Sequence, residues 1–222
     1  MNKNVKEIIT DRTQLEEWSV EIDPQKDGKR TQEIILALKG TMREHELYYL
    51  TAPQIGYNNR IFCIRFGSND YRTFINPSVE NNVGMTMARE CCNSIPDKEF
   101  IIPRFSKIKF YYLTPLGKVE SATLAGKAAQ VFQHCLDHLN GLLVDDIGLE
   151  IDEMFNNATE EEQAEVLRMY AESLDIRQKE LNKQIQEDKE LKDINDAIDF
   201  IASVKDGSTK IEFKDTKKEK ED

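Results

Sequence analysis

Apolar positions recur at two different periods along the chain, and the periods divide it into elements. Ile34, Ile35, Leu38 and Met42 fall three and four apart, which predicts an amphipathic helix over residues 31–45. Asp23–Gly28 before it reads as a loop, and Pro53 and Gly56 interrupt the chain after it. Residues 60–66 form a dense apolar run and predict a strand. Residues 74–77 predict a strand ending at the turn that Pro77 imposes. Residues 101–102 and 107–113 read as further strands, the second with charged and apolar positions alternating. Pro115–Gly117 is a turn and residues 118–123 a short strand. Helical spacing returns over 125–139 and is closed by Asn140-Gly141. Residues 4–20 show no clean period and are left as strand or turn. Strands that precede and surround one internal helix define an α+β fold, not an alternating β/α one.

Charge separates the last third from the rest. The 222 residues carry a net charge of −11, with 32% charged and 39% hydrophobic side chains. Residues 151–222 hold 21 Asp+Glu against 12 Lys+Arg, net −9, which leaves net −2 for residues 1–150. The expected organisation is a near-neutral domain over 1–150, an acidic helical extension over 151–206 and a disordered tail over 207–222. Thr159 and Glu162 are spaced as a capping box, followed by Val166, Leu167, Tyr170 and Leu174 at helical spacing. Ile194, Ile198 and Ile201 mark a second helical run. So acidic a chain offers no basic face for direct nucleic-acid binding. No apolar run is long enough to span a membrane, and no signal-peptide core follows Met1. Cys63, Cys91, Cys92 and Cys135 are too few and too oddly spaced for a disulfide framework, so a reducing, cytoplasmic setting is expected.

Two of the three histidines, His134 and His138, stand one helical turn apart in the predicted 125–139 helix. That spacing puts both imidazoles on one face, where each can offer a nitrogen to one cation. The competing reading is two ordinary histidines near a helix C-terminus, where their partial charge is favourable. Asp137 adds a carboxylate able to support such a site. Cys92, in a turn-rich segment between strands, is the candidate third ligand, against the simpler reading of a small buried apolar residue.

Three segments in order resemble the motifs of the peptide deformylases. Leu50-Thr51-Ala52-Pro53-Gln54-Ile55-Gly56 is similar to the first, whose core is Ala-Pro-Gln. Glu90-Cys91-Cys92-Asn93-Ser94 is similar to the second, Glu-Gly-Cys-Leu-Ser. Gln133-His134-Cys135-Leu136-Asp137-His138-Leu139-Asn140-Gly141 resembles the third, Gln-His-Glu-x-Asp-His-Leu-x-Gly. The resemblance runs over roughly residues 5–150. It implies mostly antiparallel sheets around a central metal-binding helix. It also implies one divalent metal, iron(II) or zinc, held by Cys92, His134 and His138, and a partner that is an N-formylmethionyl peptide or nascent chain. Gln54 and the backbone N–H of Asn93 would face the carbonyl oxygen of that substrate, and Glu90 would pair with Arg104.

The departures from the family pattern are as informative. Cys135 stands where the third motif carries the general acid and base, a glutamate, and a thiol has no second oxygen to relay a proton. Leu47 and Tyr49 replace glycines, Cys91 replaces glycine and Asn93 replaces leucine. The expectation is a divergent metalloprotein with impaired hydrolysis. The alternative is a catalytically inactive module that binds metal and peptide.

Overall fold

The computed structural model describes residues 4–174. The chain divides into two compact units, Met1–Asn157 and Ala158–Asp222. The second run of isoleucines and the polar tail lie outside the described residues.

In the first unit, α1 (Arg12–Leu15) and α2 (Gly28–Glu44) lead into β1 (Tyr49–Thr51), a 3-10 turn over Pro53–Ile55, and β2 (Ile61–Arg65). Two long strands follow, β3 (Tyr71–Cys92) and β4 (Ile95–Leu113), then β5 (Val119–Ala125) and α3 (Lys127–Leu139). Short α4 (Val144–Ile147), β6 (Leu149–Glu150) and α5 (Glu153–Asn157) complete it. One six-stranded sheet runs in the order β1-β2-β3-β4-β5, with β6 on the outer part of β4. Every pairing between these strands is antiparallel. The α+β architecture expected from the sequence is the one observed.

Three local features depart from the sequence reading, each for a physical reason. Pro77 does not end its strand. The register shifts between Ile75 and Ser78, so the missing proline N–H falls at a bulge where the ladder is already broken. Asn76 sustains this bulge at φ 46°, with its side chain bonded to both the N–H and the carbonyl of Ile22 at 3.1 and 2.9 Å. Residues 81–92, which carry no clear strand pattern, continue β3. Their exposed stretch around Asn81–Gly84 is held by pairing with β4 and not by burial. The patternless N-terminal stretch contains α1, whose Asp11 side chain accepts from the Thr13 N–H at 3.0 Å.

The packing that places the site centres on α3. Phe132 inserts into an aromatic cluster, with ring centroids 5.1 Å from Phe62, 5.6 Å from Phe74 and 4.0 Å from Phe110. Cys135 and Leu139 continue that stripe one and two turns further on and are fully buried in the same cluster. The two histidines occupy the neighbouring stripe. The helix ends as its sequence predicts. Asn140 is the C-cap, and Gly141 sits at φ 68°, where an added Cβ would lie 2.2 Å from the Glu16 carbonyl oxygen. The carbonyl of Leu139 accepts from Arg60 Nη1 at 3.0 Å and from the Ser19 N–H at 3.0 Å, which anchors this end of the helix.

In the second unit, residues 160–174 are helical as far as they are described. The capping box forms as its spacing predicts. The Thr159 N–H donates to Glu162 Oε2 at 2.8 Å, and the Glu162 N–H donates to Thr159 Oγ1 at 3.3 Å.

Candidate metal centre

The β3–β4 hairpin and α3 bring Cys92, His134 and His138 together, with one ligand atom from each lying within 4.8 Å of the others. All three side chains are buried. Cys92 Sγ is 3.2 Å from His138 Nε2. A cation at ordinary bond lengths to one sulfur and two nitrogens holds them about 3–4 Å apart, so small rotations complete the set.

Orientation of the first imidazole comes from a buried ionic chain. His134 Nδ1 lies 2.9 Å from Glu90 Oε2. Arg104 clamps the same carboxylate with two bonds of 2.8 and 2.9 Å, and its third nitrogen reaches Asp137 at 2.6 Å. The anticipated Glu90–Arg104 pair is therefore present, and Asp137 supports the site through Arg104. The chain fixes the His134 tautomer and leaves Nε2 directed away from Glu90. Among the described residues that atom is buried without a hydrogen-bond partner, as is His138 Nδ1. A buried imidazole nitrogen without a partner is costly unless something binds it. One soft sulfur, two imidazoles and an orphaned nitrogen suit a divalent cation.

The electrostatics agree. Burial alone would push the Cys92 thiol up, but the two imidazoles outweigh it and bring it to about 5. Burial favours neutral His134, but Cys92 and Glu90 prevail and push it up to about 9. Glu90 also resists its own burial, because Arg104 and His134 hold it at about 2. The cluster is built to keep positive charge among its anions.

Gln54 reaches the same centre from the 3-10 turn. Its Oε1 accepts from both the N–H and the hydroxyl of Thr51 at 3.1 Å. This directs Nε2 to Ser94 Oγ at 3.2 Å and to Cys92 Sγ at 3.7 Å. Thr51 and Ser94 are contributors that sequence reasoning passed over. The signal for Thr51 was its position three residues before Gln54. Asn93 occupies the hairpin turn beside Cys92 with its side chain exposed. Cys135, next in sequence to His134, packs into the aromatic cluster, and burial with Cys63 and Cys92 nearby raises its thiol well above its usual value.

Tyr49 closes the mouth. Its phenol donates to the Cys91 carbonyl at 2.9 Å, and its ring stands edge-on to His134 with centroids 5.1 Å apart. Burial and the nearby Cys135, Cys92 and Glu90 hold the phenol well above its ordinary pKa. Tyr49, Lys127 and Val131 border two cavities, one of about 340 Å³ that reaches His134 and one of about 410 Å³ that extends to Ile64 and Phe66.

An antiparallel sheet packed on a helix that carries a His-x-x-x-His pair, with a hairpin cysteine opposite, defines a class of α+β proteins with a candidate mononuclear metal site. Comparison with known proteins makes the class specific. Residues 5–150 match the polypeptide deformylase family, and the chain belongs to it. It is 37% identical over 107 residues to a peptide deformylase of Thermotoga petrophila, a match covering 48% of this chain and 65% of that protein. To one of Symbiobacterium thermophilum it is 32% identical over 125 residues, covering 55% and 58%. The chain thus spans about three-fifths of the length of these relatives. A peptide deformylase structure from Thermotoga maritima superposes with a TM-score of 0.57 at 31% identity, covering 64% of this chain and 95% of that one. A Met-Ala-Ser-bound class I type b peptide deformylase from Acinetobacter baumannii gives a TM-score of 0.60 at 22% identity, covering 64% and 98%. Among the described residues no helix is long and apolar enough to cross a membrane.

Proposed function

We propose that this chain holds one divalent metal, iron(II) or zinc, through Cys92, His134 and His138, and acts on the formylated N-terminus of N-formylmethionyl peptides. The observation that carries this reading is the buried three-ligand cluster, in which His134 Nε2 has no hydrogen-bond partner among the described residues. When bound, a divalent cation supplies Lewis acidity and a nucleophile near neutral pH. The chain's own groups do the rest. Gln54 Nε2, locked by Thr51, and the backbone N–H of Asn93 donate to the carbonyl oxygen as negative charge develops on it. Glu90 and Arg104 keep His134 in one orientation.

At the third-motif position the chain carries a thiol, not a carboxylate, to relay the proton. Cys135 is fully buried in the aromatic cluster, and burial keeps its thiol protonated. A positioned general acid and base contributes about 10²–10⁴-fold, so hydrolysis should be slower than that of a glutamate-bearing relative by about that factor. The burial of Cys135 favours a second reading, a metal- and peptide-binding module without turnover.

Metal analysis of anaerobically purified protein, paired with a deformylation assay on a formyl-methionyl peptide, separates these readings. One metal per chain is expected, with sharp loss in Cys92→Ala and in His138→Ala. Slow wild-type hydrolysis with partial recovery in Cys135→Glu supports the enzyme. A wild-type rate equal to that of a glutamate-bearing relative would remove the impaired-catalysis reading. Full metal occupancy in both ligand variants would remove the site.

A further inference from the structure

Tyr49 stands between two spaces, the cavity of about 340 Å³ that reaches His134 and the one of about 410 Å³ beside it. Its backbone is fixed, because β1 pairs with β2 and sets Tyr49 opposite Ile64. Its side chain is the part free to change place, and in a strand two χ1 wells are commonly occupied. In the well observed, the ring stands edge-on to His134 and the phenol is latched to the Cys91 carbonyl at 2.9 Å. The latch joins two strand edges. Among the described residues β1 pairs only with β2, and the last part of β3 pairs only with β4.

The fold also prepares a second position for the ring. Directly opposed residues of an antiparallel pair project from one face, and an aromatic side chain also reaches the diagonal neighbour. For Tyr49 these two are Ile64 and Phe66, and both line the 410 Å³ cavity with Ala128 and Val131. A ring turned that way exchanges His134 for an apolar wall. Its hydroxyl then meets Arg65 and Lys127 in the same lining, and both are donors to a phenol oxygen. The observed position is held by one neutral hydrogen bond and one edge-on ring contact, and neither is strong enough to lock it.

We infer that Tyr49 is a gate on the metal cluster. Closed, as observed, it covers His134 and the approach to Cys92. It opens by turning its ring into the 410 Å³ cavity. The gate belongs to this chain, because the glycine that the family pattern carries here has no side chain to move. It deepens the proposed reading, in which the cluster is the reacting centre, by adding control of access to it.

The test follows alkylation of Cys92 by iodoacetamide in the metal-free full chain, mapped by mass spectrometry. It is run in a Cys91→Ser background, which removes the exposed neighbouring thiol and keeps the carbonyl that latches the phenol. Cys63, fully buried on the far side of the β1–β2 pairing, is the internal reference for loosening of the fold. Tyr49→Phe removes the latch and should speed labelling of Cys92 about fivefold, the worth of one neutral hydrogen bond. Ala128→Leu fills the open position and should slow it below the parent rate. Cys63 labelling should stay unchanged in both. An unchanged Cys92 rate in Tyr49→Phe, an unchanged or faster rate in Ala128→Leu, or Cys63 accelerating in step with Cys92 would overturn the inference. Zinc uptake is measured separately on the same proteins. A chain that takes up no zinc defeats the metal-centre reading, while the Cys92 rates still judge the gate.

Discussion

Arg104 is the side chain on which the site's internal order depends. It spans Glu90 and Asp137 with both carboxylates close and most of the guanidinium out of water. Removing one member of a buried pair leaves an uncompensated charge, so Arg104→Met should cost about 3–5 kcal/mol in denaturant unfolding. Metal affinity should fall about 10–100-fold in the same variant, because His134 loses the carboxylate geometry that orients it. Unchanged affinity would mean that His134 is held by packing alone. Cys63 makes a different prediction. Full burial pushes its thiol up to about 11, despite a contact with Thr73 at 3.2 Å. An ordinary thiol in the unfolded chain titrates near about 8.5. The folded value is the higher one, so the stabilising contribution is complete below the unfolded value and is lost as pH rises towards 11. Cys63→Val removes that titration and should flatten the alkaline limb of the stability curve. A limb of undiminished slope in the variant would assign alkaline loss to other groups.

At the level of elements, α3 is the part that converts sequence spacing into a site. Its 3.6-residue period places Phe132, Cys135 and Leu139 on the sheet and presents His134 and His138 to the β3–β4 hairpin. Phe132 is the anchor, with three aromatic neighbours within 5.6 Å between centroids. Phe132→Ala should destabilise the chain by about 3–5 kcal/mol in chemical unfolding. It should also lower metal retention at denaturant concentrations where wild type stays loaded, since a helix released from the sheet no longer holds its histidines opposite Cys92. The hairpin contributes the other half. Glu90 and Cys92, two residues apart on β3, share one face of the strand, so one side chain reaches Arg104 and the other His138.

For the whole molecule, the acidic extension is the open dimension. The compact unit that contains every residue of the candidate site ends at Asn157. A chain shortened to end there should remain soluble, unfold cooperatively and bind metal with the wild-type stoichiometry, as measured by size-exclusion chromatography, circular dichroism and metal analysis. Aggregation of the shortened chain would show that residues beyond 157 complete its core.

Much of this was already legible in the sequence. A helix over 125–139 with histidines one turn apart, a cysteine in a turn between strands, and a proline-broken segment bearing Gln54 are all local features, set by period and by the backbone limits of proline and glycine. The α+β class followed from element order alone. What the sequence could not specify is which distant groups meet. β3 continues past Pro77 only because a bulge absorbs the missing N–H, and residues 81–92 are a strand only because β4 pairs with them. Asp137 was legible as a carboxylate able to support the site, but not that it would do so through Arg104, 33 residues away. Tyr49 could be read as bulk in place of glycine, yet its bridge to the Cys91 carbonyl spans 42 residues. Local periodicity fixes which face of an element is buried. The charge pairing, the orphaned imidazole nitrogens and the shape of the cavities arise only when those faces are packed against one another, because their energies depend on distances between residues far apart in the chain.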